Sequence, residues 1–200
     1  MSVMFHDGNR RLQDQFDSRR IADRLEEKLT RFAFTDGDRA FIEGAAFFFL
    51  ASADAAGAPD CSFKGGMPGF VRVIGEAELA FPDYDGNGMF KSLGNILVNP
   101  QVGLLFIDMG EKPRRLRVNG TASVNRDDPL MQRFAGAQLL VRVKARAIFP
   151  NCPRYIATPG AAEPSKYTPR SGYTPPEPAW KGYDDFKDHV PRRHKTPDGN

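Results

Sequence analysis

The residue types that could do chemistry cluster at the end of one short apolar segment. Residues 58–66 read Ala-Pro-Asp-Cys-Ser-Phe-Lys-Gly-Gly, so a hydroxyl, a cation and two glycines follow one another closely. Alternate side chains of a strand share one face, which places Ser62 beside Lys64. An ammonium group, a hydroxyl donor and the bare backbone of Gly65 and Gly66 together suit a phosphorylated ligand. The alternative is a lysine that points outward and a plain glycine turn.

A second group of candidate residues begins a predicted helix. Residues 82–88 have the composition of a loop, Pro-Asp-Tyr-Asp-Gly-Asn-Gly, and a helix is expected to follow it. Lys91 and Ser92 would open this helix, whose free N–H groups and positive dipole end favour an anion. Equally, Asn87 could cap the helix while Lys91 is simply solvated.

The elements that must position these residues follow from the hydrophobic periodicity. Strands are predicted over residues 45–53, 58–63, 70–74, 76–81, 102–107, 115–124 and 139–149. Helices are predicted over residues 10–32, from Asp36 or Asp38 to Ile42, after Gly88, and from Asp127 or Asp128 to Phe134. Successive hairpins without regular strand–helix alternation favour a closed antiparallel barrel over a doubly wound parallel sheet.

The chain divides into three predicted parts. Residues 1–35 form an N-terminal helical segment, residues 36–156 form the barrel, and residues 157–200 form a proline-rich arm. Prolines recur throughout the last part, which is typical of an extended arm or tail rather than a packed domain.

Composition narrows the classes of function. With 200 residues, 40% of them hydrophobic and 16 of them Phe, the chain can fill a core and is not expected to be disordered. A net charge of +3 without a long basic run gives no reason to expect nucleic acid. No membrane segment or secretion signal is recognisable, so a cytoplasmic protein with reduced Cys61 and Cys152 is expected. The histidines lie near the termini, and no metal site is predicted.

A series of sequence blocks runs through the chain in a fixed order. The blocks are Phe49-Leu50-Ala51-Ser52-Ala53, Gly57-Ala58-Pro59-Asp60-Cys61-Ser62, Lys64-Gly65-Gly66, Pro68-Gly69-Phe70-Val71, Leu79-Ala80-Phe81-Pro82-Asp83, Gly86-Asn87, Ser92-Leu93-Gly94-Asn95-Ile96-Leu97, Asn99-Pro100, Val102-Gly103-Leu104-Leu105-Phe106, Leu116-Arg117-Val118-Asn119-Gly120 and Asn151-Cys152-Pro153-Arg154-Tyr155-Ile156. Their order and spacing resemble the pyridoxamine 5′-phosphate oxidase-like family of flavin-binding split barrels. The resemblance is to its probable FMN-dependent members rather than to the oxidase itself.

The resemblance implies a mainly β fold, a six-stranded antiparallel split barrel, and a homodimer with FMN at the subunit interface. It also implies the residues that bind the cofactor: Ser62, Phe63, Lys64, Gly65, Gly66, Phe81, Pro82, Asn87, Lys91, Ser92, Arg117 and Asn119. Phe81 and Pro82 would contact the flavin edge, unless Phe81 only fills the core. Arg117 and Asn119 would reach the flavin carbonyls or an acidic substrate, unless they are ordinary surface residues.

The sequence departs from the oxidase pattern at two places. Cys61-Ser62-Phe63 stands where the oxidase has a basic residue, and the arginine-rich C-terminal substrate motif is not recognisable. Pyridoxamine phosphate is therefore disfavoured as the substrate. No acid–base pair and no catalytic residue is evident, which suits a flavin because the cofactor carries out the difficult step.

The leading hypothesis is a cytoplasmic FMN-dependent oxidoreductase in which flavin N5 exchanges a hydride with a small substrate. Two alternatives stay open. One is a non-catalytic flavin-binding, haem-binding or redox-sensing protein on the same barrel. The other is an enzyme that holds a deazaflavin instead of FMN.

Overall fold

The computed structural model describes residues 2–157, 166, 173 and 176–191. These residues fall into two compact units, one within residues 31–161 and one drawn from residues 1–30 and 162–200. Much of the predicted proline-rich arm at 157–200 lies outside the described residues.

The unit that contains the N-terminus has two helices where the sequence predicts one. Helix α1 spans Asp7–Gln15 and helix α2 spans Arg19–Leu29. The helical conformation is interrupted between them at Asp17, whose backbone is left-handed with a φ of 47°. In the same unit, the Asp185 carboxylate accepts from Arg24 at 2.9 Å, close to a short 3₁₀ helix at Ala179–Gly182.

The second unit is built on one antiparallel sheet of seven strands. The strands are β1 Phe47–Ala53, β2 Pro59–Gly65, β3 Arg72–Val73, β4 Glu78–Tyr84, β5 Gln101–Asp108, β6 Arg114–Asn125 and β7 Ala137–Pro150. Their order across the sheet is β2-β1-β5-β6-β7-β4-β3. Helices α3 (Asp36–Gly44) and α4 (Lys91–Val98) flank the sheet, with a 3₁₀ helix at Pro129–Arg133.

The predicted class, a mainly β antiparallel fold with flanking helices, is confirmed. The resemblance implies six strands, whereas the structure has seven, one in each range that the hydrophobic periodicity predicts. The segment after residue 70 contributes both the two-residue β3 and β4. The sheet is also open rather than a closed barrel: in the part of the chain that the structure describes, no ladder joins its two end strands, β2 and β3.

The core lies on the inner face of this sheet. Phe48 of β1 meets Phe81 of β4 edge to face, with ring centroids 4.9 Å apart, and Phe106 of β5 lies 5.0 Å from Phe48. All three side chains are fully buried. Since β1 and β4 are far apart in the strand order, the sheet must curl around a common core. Burying each ring contributes roughly 1.5–3 kcal/mol.

A bulge interrupts the long β6–β7 pair. The register shifts between Asn119 and Gly120, which leaves Arg146 of β7 without a partner residue. A Cβ atom added at Gly120 would lie 2.9 Å from the carbonyl carbon of Lys144 and 3.0 Å from the Cα of Ala145, so a glycine is required here. The continuous apolar alternation predicted for residues 139–149 therefore changes face at Arg146.

Candidate functional site

The hairpin of β1 and β2 presents one half of the predicted site. Its turn is held by Asp54, whose Oδ1 accepts from the backbone N–H groups of Ala56 and Ala58, both at 2.9 Å. Gly57 has a φ of 87°, a conformation that favours glycine. The turn fixes the register in which Ser62 pairs with Leu50, so that Ser62 lies on the inner face of the sheet.

Helix α4 presents the other half and lies directly against the hairpin. The hydroxyl oxygens of Ser62 and Ser92 are 2.7 Å apart and share one hydrogen bond. One turn further along, the buried Asn95 amide donates to Ser52 of β1 at 3.1 Å. The structure thus brings together the two segments that the sequence places 30 residues apart.

Lys64 lies on the same inner face, because it pairs with the core residue Phe48. Its Nζ is 3.8 Å from Oδ1 of Asp83 on β4, and the two side chains are 20% and 13% exposed. Within the described residues, the Lys64 ammonium group forms this ion pair and no hydrogen bond. Its N–H donors are therefore available to another acceptor at a half-buried position.

The N-terminus of α4 carries no side-chain cap. Phe90 occupies the capping position with a left-handed backbone, φ 48°, and makes no side-chain hydrogen bond to the helix. The side-chain Oδ1 of Asn87 instead accepts from the N–H of Met89, which precedes the helix, at 3.0 Å. The interpretation of Asn87 as the helix cap is therefore wrong. Lys91 is exposed on the first turn, next to the buried Ser92.

Two carboxylates in this cluster were missed by the sequence reasoning. The Asp60 carboxylate accepts from the Ser92 hydroxyl at 3.4 Å, and Asp83 pairs with Lys64 as described. Asp60 could have been found, since it stands two positions before Ser62 and must share its face. The loop composition of residues 82–88 places Asp83 outside the strands, yet β4 continues to Tyr84.

The two predicted glycines have a packing role. A Cβ atom on Gly65 would lie 2.7 Å from the Phe63 ring, and one on Gly66 would lie 2.7 Å from the Phe70 ring. The N–H of Gly66 donates to the carbonyl of Ala46 at 2.9 Å, which extends the β1–β2 pairing by one bond. The Phe70 contact, at the base of a buried side chain, favours a glycine at Gly66, whereas the exposed Phe63 ring could turn away from a Cβ atom at Gly65.

The remaining predicted residues do not join this cluster. Phe81 is fully buried in the core and Pro82 is buried beside it, so the Phe81 side chain cannot meet a ligand. Phe63, Arg117 and Asn119 lie on the outer face of the sheet. Phe63 pairs with Phe49, Phe49 with Leu105, and Leu105 with Arg117, which forms one continuous cross-strand row.

The outer face itself is apolar around these residues. Phe63 is 62% exposed and stacks on Phe47, with ring centroids 5.3 Å apart. Phe49 contacts both rings edge to face at 6.0 Å. The Asn119 amide leans across Gly103, whose added Cβ atom would lie 3.4 Å from the amide oxygen. An exposed cluster of aromatic rings beside a polar pair is typical of an interaction surface.

Neither a metal site nor a membrane span is found in the described ranges. No three His, Cys, Asp or Glu side chains among these residues could hold a metal ion. None of the described helices is long and apolar enough to cross a bilayer.

Comparison with known proteins gives one family match. The family model described as pyridoxamine 5′-phosphate oxidase matches residues 34–163. No curated protein matches the chain.

Solved structures of low sequence identity are similar to it. HupZ from Group A Streptococcus is 18% identical, with 58% of this chain and 93% of that chain covered and a TM-score of 0.47. An FMN-binding protein from Syntrophomonas wolfei is 12% identical, with coverages of 73% and 96% and a TM-score of 0.44. HutZ, a heme storage protein from Vibrio cholerae, is 21% identical, with coverages of 55% and 88% and a TM-score of 0.42.

Proposed function

Since the chain belongs to the pyridoxamine 5′-phosphate oxidase family, we propose that it is a cytoplasmic FMN-dependent oxidoreductase. It would act as a homodimer on a small-molecule substrate. The observation that carries the proposal is the junction of β2 and α4, where the Ser62 and Ser92 hydroxyls meet at 2.7 Å on the face that also holds Lys64.

The groups at this junction fit the phosphate end of FMN. Lys64 supplies a cation with free donors, Ser62 and Ser92 supply hydroxyls, and the uncapped first turn of α4 supplies backbone N–H groups. Lys91, exposed on that turn, adds a second cation. Bound FMN would supply hydride exchange at its N5 atom, and these residues would hold and orient it.

The two carboxylates limit how strongly the site attracts an anion. Asp83 shares the Lys64 ammonium group, and Asp60 takes up a hydrogen bond from Ser92. Formally, the two lysines and two aspartates cancel, so a phosphate dianion is bound by specific donors rather than by net charge. This balance predicts a site that discriminates by geometry and hydrogen bonding.

We infer the homodimer from the exposed aromatic rings on the outer face of the sheet. Arg117 and Asn119 lie on the outer face, and Lys64 lies on the inner face, so one sheet cannot bring them to one ligand. A second copy packed on the outer face would cover the exposed Phe63 and its neighbouring rings.

Measurement of the assembly state tests whether the outer face is the dimer interface. Because Phe63 is 62% exposed, a charged residue in its place should change the stability of an isolated subunit little. The same charge would strongly weaken an apolar interface between two subunits. Phe63→Glu should shift the protein from dimer to monomer in analytical ultracentrifugation while its thermal unfolding stays cooperative. Lys112→Glu, an exposed substitution in the β5–β6 loop, is the control that should remain dimeric. A wild-type monomer, or a dimeric Phe63→Glu variant, would contradict this assignment.

Cofactor binding is tested by titration of the purified protein with FMN and with riboflavin, which lacks the phosphate. We expect quenching of FMN fluorescence with micromolar affinity and much weaker binding of riboflavin. Oxidation of reduced FMN by an acceptor faster than that of free FMN would support an enzyme over a non-catalytic flavin binder. Equal affinities for the two flavins would remove the phosphate site from the proposal.

A further inference from the structure

A second concave site lies elsewhere on the sheet, among α3, β3, the 3₁₀ helix at Pro129–Arg133 and β7. It is a cleft of about 810 Å³. Four arginines from these four elements line it: Arg39, Arg72, Arg133 and Arg142. None of its lining residues belongs to the β2–α4 junction described above.

Two of the four guanidinium groups are held in place by acids. Arg39 pairs with Glu43 at 3.4 Å on the same helix. Arg142 pairs with the buried Asp128 at 2.5 Å and with Glu78 at 3.2 Å. The hydrogen bond from Arg142 lowers the pKa of Asp128 from its ordinary value, and the same bond raises the pKa of Arg142. These pairs fix the walls of the cleft, and their three carboxylates outnumber the two guanidinium groups by one.

The other two guanidinium groups have no such partner. Among the residues that the structure describes, neither Arg72 nor Arg133 has a carboxylate within ion-pair distance, and both side chains are exposed. They come from separate elements, β3 and the 3₁₀ helix, and face one cleft. The cleft therefore carries a local excess of positive charge that the fold itself does not neutralise.

Part of the cleft lining is apolar. Ile74, Leu130 and Phe134 contribute to its lining, and Phe134 is buried, with 6% of its surface exposed. Asp128 stabilises this region, because its carboxylate also accepts from the N–H of Leu130 at 2.9 Å and so caps the 3₁₀ helix. Unpaired guanidinium groups and apolar side chains in one cleft favour a ligand with an anionic head and an apolar body.

We propose that this cleft is a second ligand site, separate from the FMN site, which binds a phosphate monoester carried on an apolar ring. Arg72 and Arg133 bind the doubly charged phosphate, for which planar guanidinium groups are suited. The ring lies against Phe134, Leu130 and Ile74. Arg39 and Arg142 stay with their acids and shape the cleft.

Phenyl phosphate is the probe, because it has the charged head and the ring and nothing else. Isothermal titration of the FMN-saturated protein, with the junction already occupied, should show binding of phenyl phosphate in the millimolar range or tighter, and none of phenol. Arg72→Gln together with Arg133→Gln should weaken this binding by at least about tenfold, since two charge-assisted contacts are lost. The affinity should also fall as the salt concentration rises.

Two controls keep the result specific. Arg146→Gln removes an exposed arginine of β7 that does not line the cleft, and it should leave phenyl phosphate binding unchanged. FMN affinity should be the same in all these variants, which separates this proposal from the function proposed above. If the double variant does not fold, Arg133→Gln alone should still weaken binding several-fold. Absence of phenyl phosphate binding to the wild type, or undiminished binding by the arginine variants, would overturn the proposal.

Discussion

Substitution of Lys64 tests the phosphate assignment in a way that a general loss of stability cannot imitate. If its ammonium group binds the FMN phosphate, Lys64→Gln removes a charge-assisted contact of about 1.5–3 kcal/mol, which is roughly a 10- to 150-fold loss of FMN affinity. Riboflavin has no phosphate, so its weaker affinity should not change. A fold defect would instead lower the affinity for both flavins together.

Substitution of Asp83 should have the opposite effect on FMN binding, because Asp83 pairs with the Lys64 ammonium group. Its carboxylate lies 3.8 Å from Lys64 Nζ and competes with a ligand phosphate for that cation. Partly exposed pairs of this kind contribute up to about 1 kcal/mol, so Asp83→Asn should strengthen FMN binding by up to about fivefold. The Gln138 amide, which donates to Asp83 at 3.0 Å, can keep its hydrogen bond to the asparagine oxygen.

The assay is fluorescence titration of both flavins against wild type, Lys64→Gln and Asp83→Asn. Lys144→Gln, which removes an exposed lysine of β7, is the matched control and should behave as wild type. The reasoning is refuted if Lys64→Gln binds FMN normally, or if it loses affinity for FMN and riboflavin equally. It is also refuted if Asp83→Asn binds FMN more weakly than wild type.

Two further predictions concern stability. Gly120→Ala forces its Cβ atom against the β7 backbone near Lys144 and should lower the free energy of unfolding by at least about 2 kcal/mol in urea. A Cβ atom at Gly94 in α4 would meet no atom within 4 Å, so Gly94→Ala should raise the free energy of unfolding by about 0.5–1 kcal/mol. A Gly120→Ala variant that is as stable as the wild type would contradict the close packing at the bulge. The hydrogen bond from Arg142 lowers the pKa of Asp128, so their pair stabilises the fold above about pH 4 and is lost on acidification. Asp128→Asn should therefore lower the melting temperature at pH 7 and reduce its fall at acid pH; an unchanged pH profile would refute this role.

The sequence predicts the strands well where alternation and turns agree. In β6, Leu116 and Val118 are buried while Arg117 is exposed, as the period of two requires. The sequence pattern does not predict that β4 extends through Pro82 to Tyr84, because proline is uncommon inside strands. Here the short β3 pairs only with Leu79 and Ala80, so Pro82 lies beyond the end of its neighbour and no hydrogen bond is lost.

The candidate site was predictable in part. The resemblance to the family predicts that Ser62 and Ser92 belong to one site. The ion pair between Asp83 and Lys64 depends on how the sheet curls, which no local sequence pattern encodes. Strand alternation predicts that Phe63 and Lys64 lie on opposite faces of the sheet, and Arg117 lies on the same face as Phe63. The arginine cleft joins residues from four distant elements and is visible only in three dimensions.

The cofactor content of the purified protein tests the central claim most directly. Denaturation of the protein as isolated, followed by identification and quantitation of the released chromophore, should give FMN approaching one per subunit. If the cofactor is lost during purification, the protein should take up FMN to that ratio at micromolar concentration. Release of haem or a deazaflavin instead, or the absence of any flavin together with failure to bind micromolar FMN, would contradict the account.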